Sequence, residues 1–198
     1  MGAFTNGLAV LAVLLPLAAC ADHAALPPAL AGKVAVVDPG DPSHGRANVA
    51  AAVKPEGQGG VSQALVVRLT QDLPVYRMWN GPVTAGNSNR LGGWWAFDAP
   101  RGTREGYRRA YEICGTWNQL VWVAKCTLRQ GAVVAIGPGQ SVSAQLCGDA
   151  SGYERYDANP RDWQVYVHQA WTRGDELACP PETADYRADP ANVAQPLP

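Results

Sequence analysis

Ala64-Leu65-Val66-Val67-Arg68-Leu69, Asp72-Leu73-Pro74 and Val75-Tyr76-Arg77-Met78-Trp79 follow one another within residues 64–79. The first block is apolar and β-branched and predicts a strand. The second is a turn signal, and the third predicts another strand. The same style continues toward the C-terminus. Trp94-Trp95-Ala96-Phe97 predicts a short apolar strand. Residues 120–128 predict a strand, Gln130-Gly131 a turn, and Ala132 to Ile136 its hairpin partner. Gly137-Pro138-Gly139 ends that run, and Ser141 to Leu146 reads as a short extended segment. Asp162 to Trp171 predicts the last strand. There Trp163, Val165 and Val167 point to one side, and Gln164, Tyr166 and His168 to the other. One helix breaks the pattern. Thr103 is placed to cap it, from Arg104 to about Ile113, with Tyr107, Ala110, Tyr111 and Cys114 at helical spacing. The stripe Arg101, Arg104 and Arg108 is expected to be a solvated face. Mostly antiparallel β with one early helix is an α+β pattern.

Composition bounds the rest. The chain has 198 residues, 47% hydrophobic and 17% charged, with net charge −1. A near-neutral balance excludes a large basic footprint, so nucleic acid is not an expected partner. No apolar run reaches the ~18–20 residues that a membrane-spanning helix needs. Residues 1–20 carry no Asp, Glu, Lys or Arg. All seven tryptophans fall between Trp79 and Trp171, so the globular α+β domain is expected over 61–179. Residues 20–60 read as a flexible tether, with Pro27-Pro28, Pro39-Gly40-Asp41-Pro42 and Gly57 to Gly60, apart from a short apolar run at Val34 to Val37. Residues 180–198 carry Pro180, Pro181, Pro190, Pro196 and Pro198 and read as a disordered tail.

Leu8 to Leu17 is an apolar core of signal-peptide length, followed by Leu17-Ala18-Ala19-Cys20. This resembles the lipobox of bacterial lipoproteins. The resemblance implies removal of residues 1–19 and a thioether-linked diacylglycerol on Cys20. Ala21 after the cysteine implies the outer rather than the inner membrane. An ordinary secretory signal with cleavage nearby is the other reading. Removing Cys20 from the five cysteines leaves Cys114, Cys126, Cys147 and Cys179. An even number in an exported chain predicts two disulfides, with the pairing open. Their spacings of 11, 20 and 31 intervening residues do not suit zinc, and His23, His44 and His168 lie far apart, so no metal is expected.

Arg77 sits between Val75 and Trp79 on one face of its strand. An arginine in an apolar strand needs a carboxylate, a phosphate or solvent, and its fork suits phosphate. Tyr76-Arg77-Met78-Trp79-Asn80-Gly81, a Gly-rich gap, Gly92-Gly93-Trp94-Trp95-Ala96-Phe97 and an Arg/Tyr helix together resemble bacterial ADP-ribosyltransferase toxin-like domains. The resemblance covers about 90 residues, Tyr76 to Val167. It implies a split, mixed β-core with NAD in its cleft. Arg77 would contact the NAD phosphates and ribose, and Trp94 and Trp95 would line the nicotinamide pocket. Gln164 would be the late residue that bonds the nicotinamide-side ribose, with Gln140 as competing candidate. No Glu-x-Glu or Gln-x-Glu pair stands on the late strand, which fits NAD glycohydrolysis better than protein modification. The alternative is a non-catalytic envelope lipoprotein that binds a protein, peptide or glycan.

Overall fold

The computed structural model describes residues 25–82 and 89–197. The lipobox and Cys20 lie outside them, as does part of the Gly81 to Gly93 loop. In chain order the elements are β1 (Val34–Val36), α1 (Val49–Ala52), β2 (Leu65–Leu69), β3 (Leu73–Trp79), β4 (Trp94–Ala96) and α2 (Arg104–Ala110). There follow β5 (Trp122–Leu128), β6 (Val133–Pro138), α3 (Ala144–Cys147), β7 (Trp163–Tyr166), β8 (Leu177–Ala178) and β9 (Tyr186–Arg187).

The strands form one sheet in the order β1-β2-β6-β7-β4-β3-β5-β8, with β9 also on β5. Every pairing between these strands is antiparallel. The fold is thus mostly antiparallel β with few, short helices, as the α+β pattern predicts. The mixed core implied by the resemblance has no counterpart in these ladders; outside them, the one parallel pairing among the described residues is the isolated bridge Val53↔Val61.

The predicted hairpin of residues 120–128 with Ala132 to Ile136 does not form. β5 pairs along its whole length with β3, from Leu73↔Leu128 to Trp79↔Trp122. β6 instead fills the gap between β2 and β7. The Gln130-Gly131 turn carries the chain to another part of the sheet, where the Gly131 N–H donates to the Leu69 carbonyl. A turn signal sets where a strand ends, not which strand becomes its neighbour. Ser141 to Leu146 also departs from the expected extension: Ser143 caps α3, its side chain accepting from the Leu146 N–H.

The alternation predicted for the last strand holds. Val165 and Val167 pack in the main core with Val67, Leu69, Val75, Val134 and Ile136. Tyr166 packs on the other side with Trp94, Val66 and Ala135. Gln164, expected on a wet face, is buried there instead, under residues that follow α2.

Two disulfides brace the fold, Cys114–Cys147 and Cys126–Cys179. Both segments read from the sequence as tether and tail contribute to the folded body. Within 25–60, β1 pairs with β2, and Leu30, Val34, Ala47 and Ala52 are buried. Within 180–197, β9 pairs with β5, and Ala188 and Val193 are fully buried. Pro and Gly richness marked segments without regular periodicity, and such segments pack here through turns and short pairings.

Candidate functional site

Three neighbouring strands, β7, β4 and β3, form the floor of a cavity of about 140 Å³. Arg77 and Met78 enter from β3, Trp94 and Trp95 from β4, and Gln164 from β7. α2 and the chain after it close the cavity with Tyr107, Tyr111, Glu112, Ile113, Trp117 and Asn118, and Gly60 completes the lining. Arg77, Trp94, Trp95 and Gln164, singled out from the sequence, therefore share one pocket. Gln140 does not. Its Oε1 accepts from the Ser141 N–H at 2.8 Å, and its Nε2 donates to the Lys54 carbonyl at 3.3 Å.

Arg77 is held by the backbone. Its Nε donates to the Asn89 carbonyl at 2.8 Å and its Nη1 to the Trp94 carbonyl at 2.7 Å. Those contacts take up much of the fork expected for a phosphate. Nη2 has no hydrogen-bond partner among the described residues. Gly92 permits this placement, since a Cβ there would lie 2.3 Å from Nη2. Burial pulls the guanidinium down to about 10, with Tyr107 opposing, so it stays charged at neutral pH.

The aromatic walls come from both layers. Trp94 and Tyr166 rings meet at 4.8 Å and Tyr107 and Tyr111 rings at 4.6 Å, both tilted. Burial pushes both tyrosine hydroxyls of the second pair up, and neither has a hydrogen-bond partner among the described residues. Trp95 has its Nε1 committed to the Gly92 carbonyl at 2.7 Å and packs in the main core.

Opposite Arg77 lies an amide–acid pair. Gln164 Nε2 donates to Glu112 Oε2 at 2.8 Å, and the carbonyls of Tyr111 and Gly60 stand at 3.3 and 3.4 Å from it. Gln164 Oε1 has no hydrogen-bond partner among the described residues, and Gln164 lines the cavity. Glu112 is 2% exposed, and its Oε1 is buried without a hydrogen-bond partner among the described residues. Burial pushes its carboxyl up to about 9, against the pull of the Asn159 backbone amide and of Gln164. At neutral pH it is a neutral acid.

The chain beyond α2 is fastened from several sides. Arg108, expected on a solvated face, is buried and donates from Nη1 to the carbonyls of Ile113 at 2.8 Å and Asn118 at 3.0 Å. The helical spacing of the arginines does not reveal that the chain folds back over one of them. Cys114–Cys147 ties the same segment to α3, and Thr116 Oγ1 donates to the Cys147 carbonyl at 3.1 Å. Asn118 Nδ2 donates to the Met78 carbonyl at 2.8 Å, joining the segment to β3.

Sequence reasoning passed over Glu112, Tyr107, Tyr111 and Asn118 as functional residues. The available signal was an acid set between apolar neighbours in Tyr111-Glu112-Ile113-Cys114.

The arrangement is a ring-sized, aromatic-walled pocket whose lining also includes an arginine, a glutamine and two tyrosines. Such convergence of unpartnered polar groups is the pattern of a small-molecule site. Among the described residues no cluster of His, Cys, Asp and Glu could hold a metal ion. Compared with protein-family models, with curated proteins and with solved structures, the chain matches none.

Proposed function

We propose that this chain is a lipid-anchored protein of the bacterial cell envelope whose pocket receives the nicotinamide end of NAD, and that it hydrolyses the nicotinamide–ribose bond. One observation carries the reading. Arg77, Trp94 and Gln164, far apart in sequence, line one cavity, with Arg77 Nη2 and Gln164 Oε1 unpartnered among the described residues. A cavity of about 140 Å³ suits a single ring, because one of ~150 Å³ holds benzene. The ring enters; the ribose and diphosphate stay at the mouth. In the reaction the C1′–N bond breaks and its electron pair leaves with neutral nicotinamide. Water forms the new C1′–O bond and its proton goes to solvent. Positive charge builds on the ribose meanwhile, and fixed dipoles aimed at it lower the barrier. Trp94 stacks on the ring, Arg77 Nη2 donates to an acceptor oxygen of the ligand, and Gln164 Oε1 accepts from a ribose hydroxyl. The anchor rests on Leu17-Ala18-Ala19-Cys20, and the two disulfides fit an oxidising compartment.

The test uses the chain with Cys20→Ser, which blocks acylation. Incubated with NAD, it is expected to release nicotinamide, and Arg77→Ala and Gln164→Ala to lose that release. A folded protein that neither releases nicotinamide nor binds NAD overturns the reading. The anchor is checked on the unaltered chain, where mass spectrometry of the membrane fraction is expected to find diacylglycerol on Cys20.

A second reading, non-catalytic binding of a glycan or peptide, is favoured by Trp117. It lines the pocket yet is 42% exposed, an aromatic surface open to a partner.

A further inference from the structure

We propose that Glu112 is a positioning residue: its buried carboxyl fixes the Gln164 amide so that Oε1, and not Nε2, faces the pocket. An amide side chain has two faces of similar shape and opposite hydrogen-bonding sense. Which one a ligand meets is decided by what holds the other. Here Nε2 faces only acceptors: Glu112 Oε2 at 2.8 Å, the Tyr111 carbonyl at 3.3 Å and the Gly60 carbonyl at 3.4 Å. Glu112 is the nearest of them and the only side chain.

The chain goes to some length to place that carboxyl. Glu112 adopts the left-handed backbone, φ 48°. That conformation is strained for a non-glycine residue and persists where surrounding structure enforces it. Gly139, at the end of the strand region after β6, clears the space, because a Cβ there would lie 2.0 Å from Glu112 Oε2. Arg108 fixes the carbonyl of the next residue, Ile113, at 2.8 Å. A strained backbone, a glycine and a buried arginine thus converge on an acid whose carboxyl, among the described residues, meets the Gln164 amide and the Asn159 backbone amide. Burial keeps the acid neutral at pH 7, so it holds the amide as an uncharged partner.

The inference rests on the pocket being a ligand site, and the experiment separates the two. The Cys20→Ser chain is labelled with ¹⁵N in its glutamine side chains, and the Gln164 amide pair is identified by its loss in Gln164→Ala. In the parent that pair is expected to exchange with solvent about tenfold more slowly than exposed glutamines. Glu112→Gln retains an acceptor oxygen at the same reach and is expected to preserve the protection; Glu112→Leu is expected to abolish it. Nicotinamide and NAD are then titrated against each variant. Glu112→Leu is expected to weaken binding about tenfold, the value of one lost hydrogen bond, and Glu112→Gln to restore it. Should Glu112→Leu not fold, Glu112→Asp withdraws the carboxyl by one methylene and gives the same readout. Unchanged Gln164 protection in Glu112→Leu or Glu112→Asp overturns the positioning role. If protection behaves as expected but the parent binds neither probe, the role stands and the nicotinamide reading falls.

Discussion

Glu112 carries more consequence than its place between Tyr111 and Ile113 suggests. Its carboxyl titrates near 4.5 when free, and burial pushes it up to about 9 in the fold. Between those values the folded state holds a proton that the unfolded state has released. Stability therefore falls as pH rises through that window. Glu112→Gln removes the slope. The variant is expected to be more stable than the parent at about pH 8 by on the order of a few kcal/mol, with little difference below about pH 4. Urea denaturation at several pH values reads this directly, and parallel curves for both proteins would refute it. Arg77, Trp94 and Gln164 were legible because each breaks a local rule: a charge in an apolar strand, a tryptophan pair after glycines, an amide on an alternating strand. Glu112 broke a rule too, but it fell inside the helix read from Arg104 to about Ile113, where an acid reads as an ordinary helix former. Its importance comes from Gly139 and Gln164, both distant in sequence, and nothing local encodes that meeting.

At the scale of elements, strand identity was readable and strand neighbours were not. Val75 to Trp79 and Trp163 to Val167 announce themselves by composition and alternation. β6 reads as a strand equally well, yet it pairs with β2 and β7, while β3 on one side and β8 and β9 on the other occupy the edges of β5. The glycines tell the same story from the other side. Gly92 and Gly139 looked like turn punctuation, and each is a clearance for a side chain, Arg77 and Glu112. The two disulfides divide their labour between elements. Cys114–Cys147 joins the pocket-covering segment to α3, whereas Cys126–Cys179 joins β5 to the chain leaving β8. Replacing either pair with alanine is expected to cost about 3 kcal/mol in thermal or chemical unfolding. Only the loss of Cys114–Cys147 is expected to weaken ligand binding as well. Equal effects of the two pairs on nicotinamide affinity would contradict this division.

Across the whole molecule, the described body extends well beyond the Trp-rich stretch that composition marked out. Arg90 and Asp185 form a buried pair, Nε to Oδ2 at 2.6 Å and Nη2 to Oδ1 at 2.8 Å, and Arg90 Nη2 also reaches the Pro180 carbonyl at 2.8 Å. That pair fastens the C-terminal segment to the approach to β4. Asp185→Asn removes the carboxylate that bonds Arg90 twice and is expected to destabilise the protein by about 3 kcal/mol. A melting temperature equal to that of the parent would show that the segment is dispensable. Proline content hid this segment because prolines do exclude long regular elements. They do not exclude two-residue pairings, and those are what β8 and β9 make.

Those short pairings also bear on how the protein avoids itself. β5 has seven residues, and β3 occupies one of its edges throughout. Along the other edge, β9 pairs at Trp122 and Val123 and β8 at Thr127 and Leu128, with Cys126 tied to Cys179 between them. At the far side of the sheet, β1 is only three residues long. An exposed strand edge recruits strands from other molecules, and short or covered edges resist that recruitment. The C-terminal segment thus covers the second edge of β5 and guards it against edge-to-edge aggregation.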